Sequence, residues 1–289
     1  MTEIPYISKR TIERMRDVQA LLDRLDPAGP PQALVVSGSP RPHGDIIVFT
    51  GSFNPPTTAH IALMKQAQSF MRSRGPSHLY AAMSKHTVDK ENVERPTQLD
   101  RIMLLQTLVR RRLAHAGVML FNRGLYVEQA EGIRRSFSGI RRILFLIGFD
   151  KIVQILDPHY YDDRDASLRE LFKLAELLVA PRGNAGEREL NELLQQPQNR
   201  QFARYIHALP FDAAYRDISS TRVRQGASKG TDMQDVPQEV RQFMRETLAY
   251  APPLRRNGEE IDYYGERMQY LQRLLRAPEK KIRIARGGR

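Results

Sequence analysis

Residues 46–50 (IIVFT) are apolar at nearly every position. Such a run fits a strand covered on both faces in a parallel sheet, since one wet face would impose alternation. After Gly51 the period changes: Leu63, Met64, Ala67, Phe70 and Met71 fall on one side of a helix that can pack back onto the sheet. The same switch recurs along the chain. His78 to Met83 predicts a strand, and Leu99, Ile102, Leu105, Val109 and Leu113 predict a helix after Pro96. Val118 to Phe121 predicts another strand, Tyr126 to Phe137 a helix, and Arg142 to Gly148 the most apolar strand. Leu177 to Ala180 and Tyr205 to Leu209 add short strands. Strands alternating with helices imply an α/β fold, a doubly wound parallel sheet with helices on both faces. Ligands of such sheets sit at the carboxyl ends of strands, where the turns at Gly51 and Gly148 fall.

The flanks read differently. Ile12, Met15, Val18, Leu22 and Leu25 recur at helical spacing after Thr11, taken as the N-cap, and residues 26–32 (DPAGPPQ) break the helix. Residues 1–44 thus read as an N-terminal helical extension, 45–250 as the central domain, and 251–289 as a C-terminal helix with a basic tail. The helix after Pro237 turns Val240, Phe243, Met244 and Leu248 inward. A last helix from about Glu259 carries Ile261, Tyr264, Met268, Leu271 and Leu275 as a narrow seam, the kind used against a partner helix. The terminal helices are therefore the expected contacts of a homo-oligomer.

Composition narrows the chemistry. The 289 residues include no Cys, which excludes disulfides, thiolate metal sites and cysteine nucleophiles. No apolar run approaches the roughly 20 residues of a membrane span, and the charged start is no signal peptide, so a cytoplasmic protein without membrane partners is expected. The formal charge of +12 favours anionic partners. Basic residues are scattered instead of forming aromatic-studded stripes, which argues against nucleic acid.

Two stretches carry candidate chemistry. In GSFNPPTTAH (51–60) a glycine at a strand end lets backbone approach a phosphate, and the helix start behind it offers unpaired N–H groups. Thr57 and Thr58 can cap that helix or donate to phosphate oxygens, and His60 stands in its first turn, as a ligand donor or a capping histidine. GSFNPPTTAH resembles the first signature of the nucleotidylyltransferase superfamily, (H/T)-x-G-H, and ISSTRVR (218–224) looks like its second, I-S-S-T-x-x-R. The form G-S-F-N-P-x-T-x-x-H is similar to the nicotinamide and nicotinic acid mononucleotide adenylyltransferases.

The resemblance spans about residues 45–250 and implies a Rossmann-like domain that joins ATP to a pyridine mononucleotide, releasing pyrophosphate. It implies that Gly51, Ser52 and Phe53 meet ATP through backbone, and that Thr57 and His60 hold its phosphates. Ser219, Ser220 and Thr221 would begin a second phosphate-binding helix, with Arg224 neutralising charge. Lys90 resembles a lysine near the reacting phosphates, and Gly148 and Asp150 resemble a G-x-D segment that receives a ribose. Arg182 matches a nucleotide-side arginine loosely. Mg²⁺ would arrive mainly on the phosphates. The sequence also departs from the family: Ala59 replaces the motif glycine, and there is no Trp to stack on the pyridine ring. Tyr160 or Tyr161 would have to substitute, with Tyr161 the expected contact. The rivals are a nucleotidylyltransferase with another phosphate-ester acceptor and a catalytically lapsed nucleotide-binding regulator.

Overall fold

Hydrophobic periodicity sets the elements, and hydrogen bonds between distant segments set their ends. The structure is a computed structural model that describes residues 7–72, 75, 77–85, 95–229, 233–256 and 259–276. In chain order the elements are α1 (Lys9–Arg24), β1 (Ala33–Val35), β2 (Gly44–Thr50), α2 (Thr58–Arg72), β3 (Ser77–Ser84), α3 (Gln98–Arg112) and β4 (Ala116–Phe121). They continue with α4 (Tyr126–Ser136), β5 (Ile140–Gly148), α5 (Phe149–Leu156), α6 (Arg164–Leu174), β6 (Glu176–Ala180), α7 (Glu187–Gln195) and β7 (Ile206–Ala208). Last come α8 (Ser220–Ser228), α9 (Gln238–Thr247), β8 (Leu254–Arg256), β9 (Glu259–Ile261) and α10 (Tyr263–Arg276).

Seven strands form one sheet in the order β1-β4-β3-β2-β5-β6-β7. The chain winds outward from β2 through β3 to β4, then returns to β5 on the other side of β2. That reversal places the switch point between β2 and β5. Ile46 and Val48 face one hydrophobic core and Ile47 the other, as the unbroken apolar run requires. Helices cover both faces, so the doubly wound sheet expected from the pattern is the fold observed.

One strand departs from the parallel expectation. β1 pairs antiparallel with β4, Ala33 opposite Phe121, so the segment before residue 44 completes the sheet edge. Its return leg crosses β4 closely: a Cβ built on Gly117 would lie 2.5 Å from Ser39 Cβ. Glycine is needed there for space, and the gap admits a hydrogen bond from Val118 N–H to Ser39 Oγ at 3.0 Å.

Both terminal helices differ from their sequence reading. The N-cap of α1 is Ser8, whose hydroxyl accepts from Thr11 N–H at 3.2 Å; Thr11 is already helical. At the other end Ile261 belongs to the β8–β9 hairpin, and α10 begins two residues later. Asp262 stops the hairpin and starts the helix: its carboxylate accepts from Gly265 N–H at 3.0 Å and pairs with Arg95. The apolar seam of α10 lies against its own chain. Tyr264 and Leu271 are buried, and Arg16 donates from α1 to the Leu274 carbonyl at 2.8 Å.

Candidate active site

A cavity of about 410 Å³ opens at the carboxyl ends of β2, β5 and β6, beside the switch point. Its walls are the turn after β2, the first turn of α2, Gly148, the end of β6 at Arg182, the loop from Phe211 to Ile218, and the first turn of α8. Arg182, Arg216, Arg224 and His60 line it, and no carboxylate among the described residues does. The starts of α2 and α8 both border it, and helix N-termini favour anions. The arrangement suits a polyphosphate.

The turn after β2 is anchored by buried side chains and by hydrogen bonds to its backbone carbonyls. Phe53 adopts φ 44°, in the left-handed region, and its ring is 1% exposed. That ring meets Phe49 edge-on at 5.5 Å and His60 at 5.3 Å. Asn54 is as deeply buried; its Oδ1 accepts from Tyr250 Oη at 2.7 Å and its backbone carbonyl from Arg224 Nη1 at 2.6 Å. Arg101 Nη1 donates to the Ser52 carbonyl at 3.0 Å. Burial lowers the Arg101 pKa, against the opposing pull of the Tyr250 and Tyr264 phenols, and burial raises that of Tyr250.

Behind Arg101, α10 secures α3. The buried carboxylate of Asp100 accepts from Arg267 Nη1 and Nη2 at 2.7 and 2.9 Å and from Tyr264 Oη at 2.8 Å. Tyr264 Oη in turn accepts from Thr97 N–H, the N-cap residue of α3.

The second jaw comes from α8. Ser219 is its N-cap, accepting from Arg222 N–H at 3.2 Å. Ser220 Oγ donates to the Pro55 carbonyl at 2.7 Å, and Thr221 Oγ1 accepts from Arg224 Nη2 at 3.2 Å. Together with the Arg224–Asn54 bond, these contacts join the two sequence motifs across the cavity floor.

Of the residues singled out from sequence, Gly51, Ser52, Phe53, His60, Gly148, Arg182, Ser219, Ser220, Thr221 and Arg224 line this one cavity. Asp150 stands at its edge in the first turn of α5, paired with Arg182 Nη1 at 2.8 Å. Thr57 is a correction. Expected to hold phosphate, it is fully buried, and its hydroxyl lies 2.7 Å from His60 Nδ1. Tyr161 is half-buried: its hydroxyl donates to the Ile155 carbonyl at 2.8 Å and its ring packs on the core, outside the cavity lining. Tyr160 is 60% exposed and does not line the cavity either. Lys90 lies outside the described residues. Asn54, Arg101, Arg216 and Tyr250 were missed. Asn54 alone had a local signal, its place inside GSFNPP.

Comparisons with known proteins fit this geometry. The profile of the family described as cytidylyltransferase-like matches residues 48–226, which contain both motifs. A Schizosaccharomyces pombe protein named "Putative nicotinamide mononucleotide adenylyltransferase" is 26% identical over 214 residues, 68% of this chain and 82% of its own length. The solved Plasmodium falciparum nicotinic acid mononucleotide adenylyltransferase complexed with APC shares the fold with a TM-score of 0.52 at 14% identity, covering 72% of this chain and 98% of that one. With the matched region taking in both jaws and the strands between them, the chain belongs to the cytidylyltransferase-like family, within the nucleotidylyltransferase superfamily.

Proposed function

We propose that the protein transfers the adenylyl group of ATP to nicotinamide or nicotinic acid mononucleotide. A phosphate oxygen of the mononucleotide attacks the α-phosphorus in line. The new P–O bond forms as the bond to the β-phosphate oxygen breaks, and pyrophosphate leaves with that electron pair. The observation that carries this reading is the convergence of both motifs on one cavity at the switch point, lined by Arg182, Arg216, Arg224 and His60. The names of the two related proteins favour a pyridine mononucleotide as acceptor.

The nucleophile is already ionised at neutral pH, so no general base is needed. The demands are to hold two anions together and to spread charge on the transferring group, which call for positioned donors. His60, Arg224 and the N-terminus of α8 would supply them, with Gly51 to Phe53 offering backbone. Gly148 and Asp150 would receive a ribose, as the resemblance implies, and Lys90 remains a proposed phosphate contact on sequence grounds. Arg182 lines the cavity while its Nη1 pairs with Asp150. No described group of three or more His, Asp or Glu gathers for a metal. Among the described residues the lining offers no carboxylate to hold magnesium, and magnesium enters this reading with ATP, held mainly by its phosphates.

The test is to incubate the purified chain with ATP and either mononucleotide, measuring dinucleotide and pyrophosphate together. Dinucleotide from one or both is expected. Pyrophosphate formed only with other phosphate esters would transfer the reading to another acceptor, and none from any would end it.

A further inference from the structure

The geometry points to Thr57 as the residue that positions His60 and fixes which of its ring nitrogens carries the proton, an inference that rests on the adenylyl-transfer reading for its catalytic consequence. Thr57 N–H lies 3.0 Å from His60 Nδ1, and Thr57 Oγ1 lies 2.7 Å from the same atom. A backbone amide can only donate, so Nδ1 must accept. The hydroxyl can donate to Nδ1 as well, because its oxygen is already turned toward His60 N–H at 3.4 Å as acceptor. A proton on Nδ1 would point at the amide hydrogen. The neutral ring is therefore the Nε2–H tautomer, and its donor is on the edge away from Thr57.

The ring is fixed in other directions too. Phe49 and Phe53 sit at 5.8 and 5.3 Å from its centroid, so rotating it to exchange the nitrogens would require both aromatic neighbours to move. Thr57 itself is buried to 0% exposure at the start of α2, too deep to reach a ligand in this arrangement. Its β-branched shape fills the site, and its hydroxyl holds the imidazole. His60 lines the cavity, so a fixed Nε2–H gives the α2 jaw a directed donor that carries no charge. A donor aimed beforehand loses nothing to reorientation as charge develops on a phosphate.

The inference is tested first without catalysis. ¹⁵N-labelled protein is examined by long-range imidazole correlation spectra, with His60→Gln identifying the His60 signals. Nδ1 at its unprotonated position and Nε2 at its protonated one are expected in the wild-type protein. The Nδ1–H tautomer in that spectrum would overturn the inference even if every variant misfolded. Thr57→Val keeps the shape and the backbone donor but removes the hydroxyl; Thr57→Ser keeps the hydroxyl. With Thr57→Val the retained amide should keep the Nε2–H tautomer, while loss of the hydroxyl loosens the ring and kcat falls by about tenfold, in line with the cost of small misplacements, with KM for ATP changing little. Thr57→Ser should restore kcat. If Thr57→Val keeps the wild-type kcat, the hydroxyl does not position His60 and Thr57 is only a helix cap. Failure of the wild-type protein to make dinucleotide would defeat the adenylyl-transfer reading and leave the tautomer result standing.

Discussion

Replacing Arg267 by Ala should destabilise the protein by an amount the structure allows to be worked out. Asp100 is buried with its side chain 3% exposed, and Arg267 provides two of the three side-chain hydrogen bonds to its carboxylate. Losing Arg267 leaves a buried anion facing the hydroxyl of Tyr264. Removing one partner of a buried ion pair costs about 3–5 kcal/mol. The Arg267 side chain is 14% exposed, so its loss also lets water approach Asp100 and favours the lower end, about 3 kcal/mol. At about 2–4 °C per kcal/mol, the melting temperature should fall by roughly 6–12 °C in a thermal scan. Asp100→Asn combined with Arg267→Met should cost less than the sum of the two single changes, because the uncompensated charge is gone. A melting temperature within about 1 °C of wild type for Arg267→Ala, well short of the shift expected here, would refute the assignment of Asp100 as a charge that depends on α10.

Three further outcomes can be checked separately. His60→Ala and Arg224→Ala should each lower turnover by about tenfold or more in the dinucleotide assay, as lost transition-state donors do; Arg224→Lys should recover only part, because one ammonium cannot serve both Asn54 and Thr221. Gly117→Ala, whose methyl would meet Ser39 Cβ at 2.5 Å, should cost about 1–3 kcal/mol by urea unfolding. Asp262 has its pKa depressed by the Arg95 hydrogen bond, against the effect of burial, with help from Gly265 N–H. A depressed carboxylate adds stability above its unfolded pKa, near 3.8, and loses it as the pH falls through the lower folded value. Asp262→Asn should therefore lower the melting temperature at pH 7 but much less at pH 2.

The legible parts of the fold were those whose cause is local. The apolar run at residues 46–50 needs both faces covered, and the structure buries Ile46, Ile47 and Val48 fully, with Phe49 and Thr50 half-buried at the cavity; the helix starting after Pro96 carries its own cap in Thr97. β1 was hidden because three residues, Ala33–Val35, show no period, and their pairing with β4 depends on a partner far along the chain. The hairpin before α10 was concealed by Ile261, which stands three residues before Tyr264 and mimics helical spacing; the Asn-Gly pair at 257–258 was the competing turn signal. At the site, the motifs showed the cavity's two jaws but not their brace. Arg101 and Tyr250 reach the turn from 49 and 196 residues away, contacts with no trace in local pattern. Thr57 was misassigned because a motif shows that a hydroxyl is present, not which way it turns. Nor could spacing show that the Tyr161 hydroxyl is already taken by the Ile155 carbonyl.

The bonds between the jaws also set a timetable. Ser220 reaches Pro55 across 165 residues and Arg224 reaches Asn54 across 170, so the first jaw leaves the ribosome long before the second exists. A chain interrupted before α8 holds the strands and the turn but exposes the face that α8 covers, with the Asn54 and Pro55 carbonyls left to water. A nucleotide bound as proposed could not guide the early stages of folding, because the cavity is complete only when nearly four-fifths of the chain has been made.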